Sequence, residues 1–498
     1  MNGAQAVLLY LDQFKLPPYR HQVADTAAVI DHDCYGLFLE MRLGKTKVII
    51  DAACVLCEQG VIDSVLVVSP SPVRSVWNDE DEELGEIKKH VWVPSVVVEF
   101  HSKTKITWAD QLPRLSWLVT NYEYLRSEEH REKLKKLLHG RKFMMVCDES
   151  SFIKNRAAIQ TKACYELGKL AARRYILNGT PVTQSPLDLW SQLNFLSPKI
   201  LPYKNYFHFR SEYCTLGGWH NKQILSYKNL DKLQGIAAPH VIRREQKDCL
   251  DLPPTLETHV EVPLTEESWK TYKAMRDDAV VWLGENPTLA AQAGVRVMRL
   301  SQITSGFLGG FVDPIETLSD ECAAGKTQEI GREKLDWLRG YVAERLQEDP
   351  TRKIIVWCRF RAEIERGATD LQDLLPTYRL YGQGKKERDE AKARFSKRDN
   401  TAPAILFAQP QAGGFGLNLI AADVNVYLSH SHSLMQYLQS KERSHGPGQT
   451  KNVLYVDVLA TGPRGQKTID HSIVKALRKH QDLAQWTVSA WKHVLEEE

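Results

Sequence analysis

Three short stretches carry residue types able to handle a nucleoside triphosphate. Gly44-Lys45-Thr46 follows an apolar run, LFLEM at 37–41, and opens a helical stretch. At such a junction backbone N–H groups hold phosphate oxygens, a lysine reaches the outer phosphates and a threonine hydroxyl takes Mg2+. The strict loop pattern also wants a glycine five residues before Gly44, and position 39 is Leu. G-K-T is therefore a weak signal alone. Asp148-Glu149 follows the apolar run FMMV. Adjacent carboxylates at a strand end are costly unless a cation or a reaction needs them. One would order Mg2+ and the other would activate the attacking water. The plainer reading is a solvated acidic turn, and the phosphate loop upstream at suitable spacing weighs against it. Gln22, in LPPYRHQ, precedes both and offers an adenine edge one donor and one acceptor. Arg20, Leu43 and Lys47 complete the candidate nucleotide set.

Such residues need strands that end together. LFLEM, VLVVSP (65–70), WLVTNYEYL (117–125), FMMVCDES (143–150) and RRYILNGTP (173–181) alternate with amphipathic stretches. Val-, Ile- and Leu-rich strands alternating with helices predict an α/β fold with a parallel sheet covered on both faces. Function in such sheets sits at the carboxyl ends of the strands. From Leu187 to about position 230 aromatic and basic residues dominate without a strand period, which predicts a helical insertion. Residues 265–303 regain helical periodicity, and 311–331, rich in Gly, Pro, Asp and Thr, read as a linker. IIVWCRF, YRLYG, AILFAQ, VNVYLS and NVLYVDVLA then predict five more strands. The expected organisation is a first lobe over 1–260, a helical protrusion and linker over 261–330, and a second lobe over 331–498.

Bulk properties narrow the function. Sixty-five basic against 62 acidic residues leave a net charge of +3, too little to coat nucleic acid by charge alone. DNA would have to be met in a local cleft. Basic clusters such as Lys135-Lys136 with Arg141-Lys142 read as solvated helix faces. Apolar runs stay well short of the roughly 18–20 residues that span a membrane, and the start resembles no secretion signal. The expectation is a cytosolic protein without a membrane partner. Nine scattered cysteines form no disulfide framework. Cys54 and Cys57 make one C-x-x-C in an apolar stretch, without the second pair a zinc site needs, and read as core.

The ordered motifs resemble the Swi/Snf branch of helicase superfamily 2 over about 16–483. PPYRHQ resembles its adenine-reading segment and EMRLGKT its phosphate loop. SPSPVRSVWNDE, VTNYEYL, DESSFIKN, LNGTPVTQSPLDLWSQLNFL and VIRREQKDCLDLPP resemble the following motifs of the first lobe. AGGFGLNLIAAD and QSKERSHGPGQ resemble the last two motifs of the second lobe, and TIDHSIVKALRKHQDL its closing brace helix. The resemblance implies two RecA-like lobes and a DNA-stimulated ATPase that moves along double-stranded DNA. It places ATP on Lys45 and Thr46, Mg2+ on Thr46 and Asp148, the water-activating base at Glu149 and adenine at Gln22. Thr180 would couple nucleotide state to DNA grip. Gly414, Gly416 and Asn418 would form a second-lobe loop meeting ATP and DNA, and Gln439 and Arg443 would complete the site from that lobe. A site split between lobes makes ATP a cross-bridge, so that binding and hydrolysis alternate the grip. DNA contacts should go mainly to phosphates, because a moving motor cannot depend on sequence. Candidates are Ser69, Arg74, Thr120, Asn121, Arg359 and Gln411; Trp77 reads better as a core aromatic. A compact motor, monomeric on DNA, fits a bacterial cell or virus-infected host, with protein partners in replication or recombination. Two other readings stay open: a strand-separating helicase, and an ATP-dependent DNA clamp that does not hydrolyse.

Three positions depart from the family pattern. Arg42 stands where the family usually has Gly, and Ser151 replaces the histidine of the box. Gly446 stands three residues after Arg443, where a second arginine, the expected arginine finger, belongs. Such a finger supplies on the order of 10³–10⁵ in rate in some nucleotide hydrolases. Lys441 and His445 are the nearby stand-ins, and neither offers a guanidinium fork. Gly446→Arg is expected to raise turnover in a DNA-stimulated ATPase assay; an unchanged or lower rate refutes the assignment.

Overall fold

The computed structural model describes residues 1–78, 85–101, 114–182, 185–218, 223–285, 290–309, 327–382, 385–396, 402–413, 418–479 and 481. The chain divides into two compact units, Met1–Leu250 and Asp251–Lys479.

The first unit is built on strands β1 (Cys34–Leu39), β2 (Ser64–Ser69), β3 (Ser95–Glu99), β4 (Leu115–Asn121), β5 (Phe143–Cys147) and β6 (Arg173–Leu177). A short hairpin follows, β7 (Cys214–Gly217) and β8 (Gln223–Tyr227), then β9 (Val241–Arg244). Seven of these form one sheet in the order β3-β4-β2-β5-β6-β1-β9, and every pairing is parallel. Alternation along each strand feeds two separate cores. Leu37, Val65, Val67, Met144 and Val146 face one, with the helix Lys45–Glu58 packed on it. Phe38, Leu66, Val68, Phe143 and Met145 face the other. Burial on both faces is why these strands read as continuous apolar runs. Cys54 and Cys57 lie buried in the first core, as core cysteines.

The insertion departs from its all-helical expectation. Helices Leu189–Leu196 and Tyr206–Tyr213 are followed by the antiparallel hairpin of β7 and β8. Most of the hairpin is half-buried or exposed, so no apolar run marks it. The aromatics of this region pack inward instead, with Phe209 and Tyr213 buried and the Tyr203 and Tyr213 hydroxyls 2.6 Å apart.

The second unit begins earlier than position 261. Strand β10 (Thr255–Pro263) pairs in parallel with the last strand of this unit, so the expected boundary falls inside a strand. After it come helices Glu266–Glu285 and Ala290–Thr304 and the two-residue strands β11 (Phe307–Leu308) and β12 (Gln328–Glu329), which pair antiparallel. Most of the expected linker lies outside the described residues. Strands β13 (Lys353–Trp357), β14 (Thr377–Leu380), β15 (Ala404–Ala408), β16 (Val424–Tyr427) and β17 (Val453–Thr461) match the five expected from sequence. They form a parallel sheet in the order β10-β17-β16-β13-β15-β14. Each unit thus carries the parallel α/β sheet expected of it.

The segment of the expected brace is helical over 469–479. A buried polar knot ties it to the second unit. Asp470 accepts from Thr304 Oγ1 (2.9 Å), Lys334 Nζ (2.7 Å) and the Ala460 N–H (3.0 Å), and Lys334 also donates to the Leu428 carbonyl (2.6 Å). Each buried charge thus has its partners, which is the condition under which burial is tolerated.

Candidate nucleotide site

Because the first sheet is wholly parallel, all its strands end on one edge. The segments expected to carry chemistry leave from there: 40–46 after β1, 70–77 after β2, 148–151 after β5, 178–181 after β6 and 245–247 after β9. The sheet therefore gathers what the sequence separates by 200 residues.

The phosphate loop is held in a strained and latched form. Gly44, at φ +80°, caps the helix Lys45–Glu58. A Cβ there would lie 2.3 Å from Gln22 Nε2, so the position demands glycine for space as well as for φ. Arg42 sits at φ +63°. The left-handed conformation is free to glycine and costs other residues roughly 1–2 kcal/mol, which accounts for the glycine expected there. Gln22 is buried; its Oε1 accepts from the Tyr19 N–H (3.0 Å) and its Nε2 donates to the Leu43 carbonyl (3.2 Å). The His21 ring also meets the Leu43 carbonyl, at 3.0 Å. The amide expected to read adenine is here a latch on the loop. Lys45 Nζ donates to the carbonyls of Leu39 (2.6 Å) and Glu40 (3.1 Å), curling back over its own loop. Thr46 is half-buried beside it, whereas the Lys47 side chain turns inward to Asp51 at 2.5 Å, leaving only its backbone for a ligand. Arg20 is exposed at the start of the helix Arg20–Asp31.

Asp148 is the buried carboxylate of the site. Burial raises its pKa; the indole N–H of Trp77, the charge of Lys45 and the Glu149 N–H oppose that rise. Trp77 Nε1 donates to Oδ2 at 2.8 Å and the Glu149 N–H to Oδ1 at 2.9 Å. Trp77 is fully buried, so it is the core aromatic expected, with a polar task that sequence spacing does not signal. The Tyr122 hydroxyl fixes the same turn through the Asp148 carbonyl, at 2.7 Å. Glu149 adopts φ +49° and stays half-buried, a second strained residue where function is expected. A buried carboxylate near the charge of Lys45 fits Mg2+, an ion that typically takes one or two carboxylates, and Thr46 at the helix start would offer it a hydroxyl.

Two connections escaped the sequence reading. Ser150 Oγ donates to Gln192 Oε1 (2.6 Å) and accepts from Asn178 Nδ2 (3.3 Å). Asn178 Oδ1 accepts from the Thr180 N–H (2.9 Å), and Gln192 Nε2 donates to the carbonyls of Pro181 and Asp188. The D-E-S-S turn is thereby wired to N-G-T-P through Ser150, beside the Ser151 that replaces the histidine. The second connection is Arg243. Its guanidinium donates to the carbonyls of Phe38 (3.1 Å) and Gly179 (2.7 Å) and meets Glu40 at 3.4 Å. Arg244 grips the buried Asp25 through two nitrogens, and Gln246 binds Glu40 and the Met41 carbonyl.

The expected DNA contacts divide. Ser69, Thr120 and Asn121 are buried at the ends of β2 and β4. Thr120 Oγ1 donates to the Phe100 carbonyl and Asn121 Oδ1 accepts from the Tyr124 N–H. A phosphate contact donated by Thr120 would have to displace that bond, whereas the Asn121 bond leaves its Nδ2 donors uncommitted by that contact. Arg74 is half-buried beside Glu99, at 3.3 Å, and Thr180 is half-buried. In the second unit Arg359 and Asn418 are half-buried and Gln411 is exposed, while Gly414 and Gly416 lie outside the described residues. Gln439 is buried on the helix Leu434–Ser444, and Arg443 is half-buried near its end. The two stand-ins for the missing arginine are committed elsewhere. Lys441 pairs with Glu257 and lies over the rings of Tyr437 and Tyr455, and the His445 ring meets the Pro253 carbonyl at 2.8 Å.

Comparison with known proteins finds two family matches along the chain, the first of which runs past Leu250 into the second unit. Residues 31–305 match the SNF2-related domain and residues 333–448 the helicase conserved C-terminal domain. The chain is 24% identical over 459 residues to an uncharacterized ATP-dependent helicase of Mycoplasma genitalium, covering 90% of this chain and 40% of that protein. It is 24% identical over 464 residues to the nuclear protein STH1/NPS1 of Saccharomyces cerevisiae, covering 88% and 32%. The chain thus spans two-fifths or less of these relatives' length. A solved Sulfolobus solfataricus SWI2/SNF2 ATPase core in complex with dsDNA is 22% identical, with 95% of each chain covered and a TM-score of 0.43.

Arg243 is the group whose loss the site should feel most. Arg243→Lys keeps the charge and loses the fork, so that the Gly179 carbonyl and the Glu40 carboxylate can no longer both be met, each a charge-assisted bond of about 1.5–3 kcal/mol. Urea unfolding of the purified chain should show a first transition weakened by about 2–4 kcal/mol; a change below about 0.5 kcal/mol, the scale of ordinary surface substitutions, refutes this role of Arg243.

Proposed function

We propose a function that starts from the family: the chain belongs to the SNF2-related family, here joined to a helicase C-terminal domain. On that premise it is an ATP-dependent motor that moves along double-stranded DNA. The observation that carries the reading is the convergence of Gly44-Lys45-Thr46, the buried Asp148 and Glu149 on one sheet edge, wired through Ser150 to Thr180. Lys45 leaves the Leu39 and Glu40 carbonyls for the outer phosphates, and the N–H groups at the helix start take their oxygens. Mg2+ held by Thr46 and Asp148 would neutralise phosphate charge. Glu149 accepts the proton of the attacking water. Gln22 releases the loop when it turns to adenine. Thr180, at the far end of the polar relay, senses the state of the D-E-S-S turn and passes it to the DNA grip. Arg74, Arg359, Gln411 and Asn418 supply phosphate contacts that carry no sequence information. Gln439 and Arg443 of the second unit assist hydrolysis.

A non-hydrolysing clamp is the second reading. It is favoured by one observation: Lys441 and His445 are both engaged, so neither replaces the arginine missing at Gly446.

Steady-state hydrolysis separates the two, measured without nucleic acid and with duplex DNA, single-stranded DNA or RNA, against Lys45→Ala as background. Duplex DNA should raise turnover about tenfold or more. No hydrolysis under any condition, with ATP and DNA binding intact, selects the clamp. Trp77→Phe tests the Mg2+ ligand. Removing the indole donor lets burial push the Asp148 carboxyl further up, and the carboxylate works only when ionised. The acid limb of the rate–pH profile should move to higher pH, with activity lost mainly on the acid side. A uniform loss across the profile would mean that Trp77 merely fills the core.

A further inference from the structure

One surface of the first unit is used by nothing described above. Arg156 lies in the turn after the D-E-S-S segment and is exposed. Its guanidinium carbon stands 4.6 Å from the ring centre of Tyr206 and 5.4 Å from that of Phe207. Tyr206 is anchored against Trp190, at 5.9 Å, and so is backed by the core. Phe207 is 64% exposed, an unusual position for a phenylalanine in a rigid element. The Asn205 side chain caps the helix Tyr206–Tyr213 by accepting from the Phe207 and His208 N–H groups, so the ring stands on a fixed base.

The surroundings are cationic. Lys204 precedes the helix, Arg210 follows Tyr206 by one turn, and Lys162 lies one turn along from Ile159, which is itself 57% exposed. Among the described residues Arg156, Lys162 and Lys204 form no ion pair. The acids nearby are already matched, Asp188 with Lys154 at 3.8 Å and Glu212 with Lys232 at 2.7 Å.

We propose that Arg156, Tyr206 and Phe207 form a site for unpaired nucleotides of single-stranded DNA. An exposed ring beside cations such as Arg156 and Lys204, which form no ion pair among the described residues, is the arrangement that stacks a base and holds its phosphates without reading sequence. A guanidinium laid on an aromatic plane keeps its edge N–H groups for a phosphate. Duplex DNA fits less well, because its bases are stacked on both faces and leave Phe207 nothing to cover. The site goes beyond movement on duplex: it would hold the chain where duplex meets a single strand, and it needs neither ATP nor hydrolysis.

The test is fluorescence anisotropy without ATP, using a labelled oligothymidylate, a blunt hairpin duplex and the same hairpin with a thymidine tail. Phe207→Ala should weaken the oligothymidylate and the tailed hairpin by about five- to a hundredfold, the range expected for one stacked base, and leave the blunt hairpin unchanged. Phe207→Trp should retain binding, and Arg156→Ala should weaken the same two probes. Equal losses on all three probes overturn the stacking site in favour of a general phosphate contact. Unchanged affinity for all three overturns it and leaves the patch to a protein partner. Duplex-stimulated hydrolysis by Phe207→Ala should match the unsubstituted chain, so a failure of the motor reading shows in that assay and not in the anisotropy.

Discussion

The guanidinium of Arg243 is the constraint on which the rest of the first unit depends. A parallel sheet brings strand ends together, and the loops that leave them carry polar groups that need partners of their own. Arg243 meets three acceptors at once: the Phe38 carbonyl at the end of β1, the Gly179 carbonyl after β6 and the Glu40 carboxylate at the start of the phosphate loop. Glu40 in turn accepts from the Gln246 N–H. The candidate phosphate loop is thus positioned from the edge strand β9, about 200 residues later in the chain. Neither a lysine nor an amide could reach all three acceptors in one plane.

Around this clamp the site is built from residues whose own preferences run against their positions. Arg42 and Glu149 hold left-handed backbone, and Asp148 is a carboxylate taken out of water. Each is held by neighbours, through Gln22 and His21 on the Leu43 carbonyl and through Trp77 and Tyr122 on the Asp148 turn. Such local strain is kept where the surrounding structure over-determines it.

What the sequence made legible follows from burial. The ten strands expected from apolar runs all exist, and most are interior, where both faces are dry. The strands that went unread in the two large sheets are edges. β3 and β9 close the first sheet and β10 the second. β10 is largely exposed and carries no apolar run, and β9 ends in the two arginines of the clamp, which read as a motif and not as a strand. The candidate site was legible where a motif has a fixed local geometry, as at Gly44-Lys45-Thr46 and Asp148-Glu149. It was not legible at Ser150, Asn178 and Gln192, since a serine and two amides signal nothing until the fold brings them together. Thr120 and Asn121, candidates for DNA contact, also have a local task that the sequence does not signal: their oxygens bond the Phe100 carbonyl and the Tyr124 N–H.

The curl of Lys45 onto the Leu39 and Glu40 carbonyls has a consequence for selectivity. The ammonium does not stand in solvent; two carbonyls solvate it. An incoming anion must outbid both and draw the side chain outward at once. A small, weakly held anion gains too little in that exchange, whereas a chain of phosphates that also reaches the helix start and Mg2+ gains enough. The geometry thereby favours a polyphosphate over a simple anion as the group able to draw Lys45 outward.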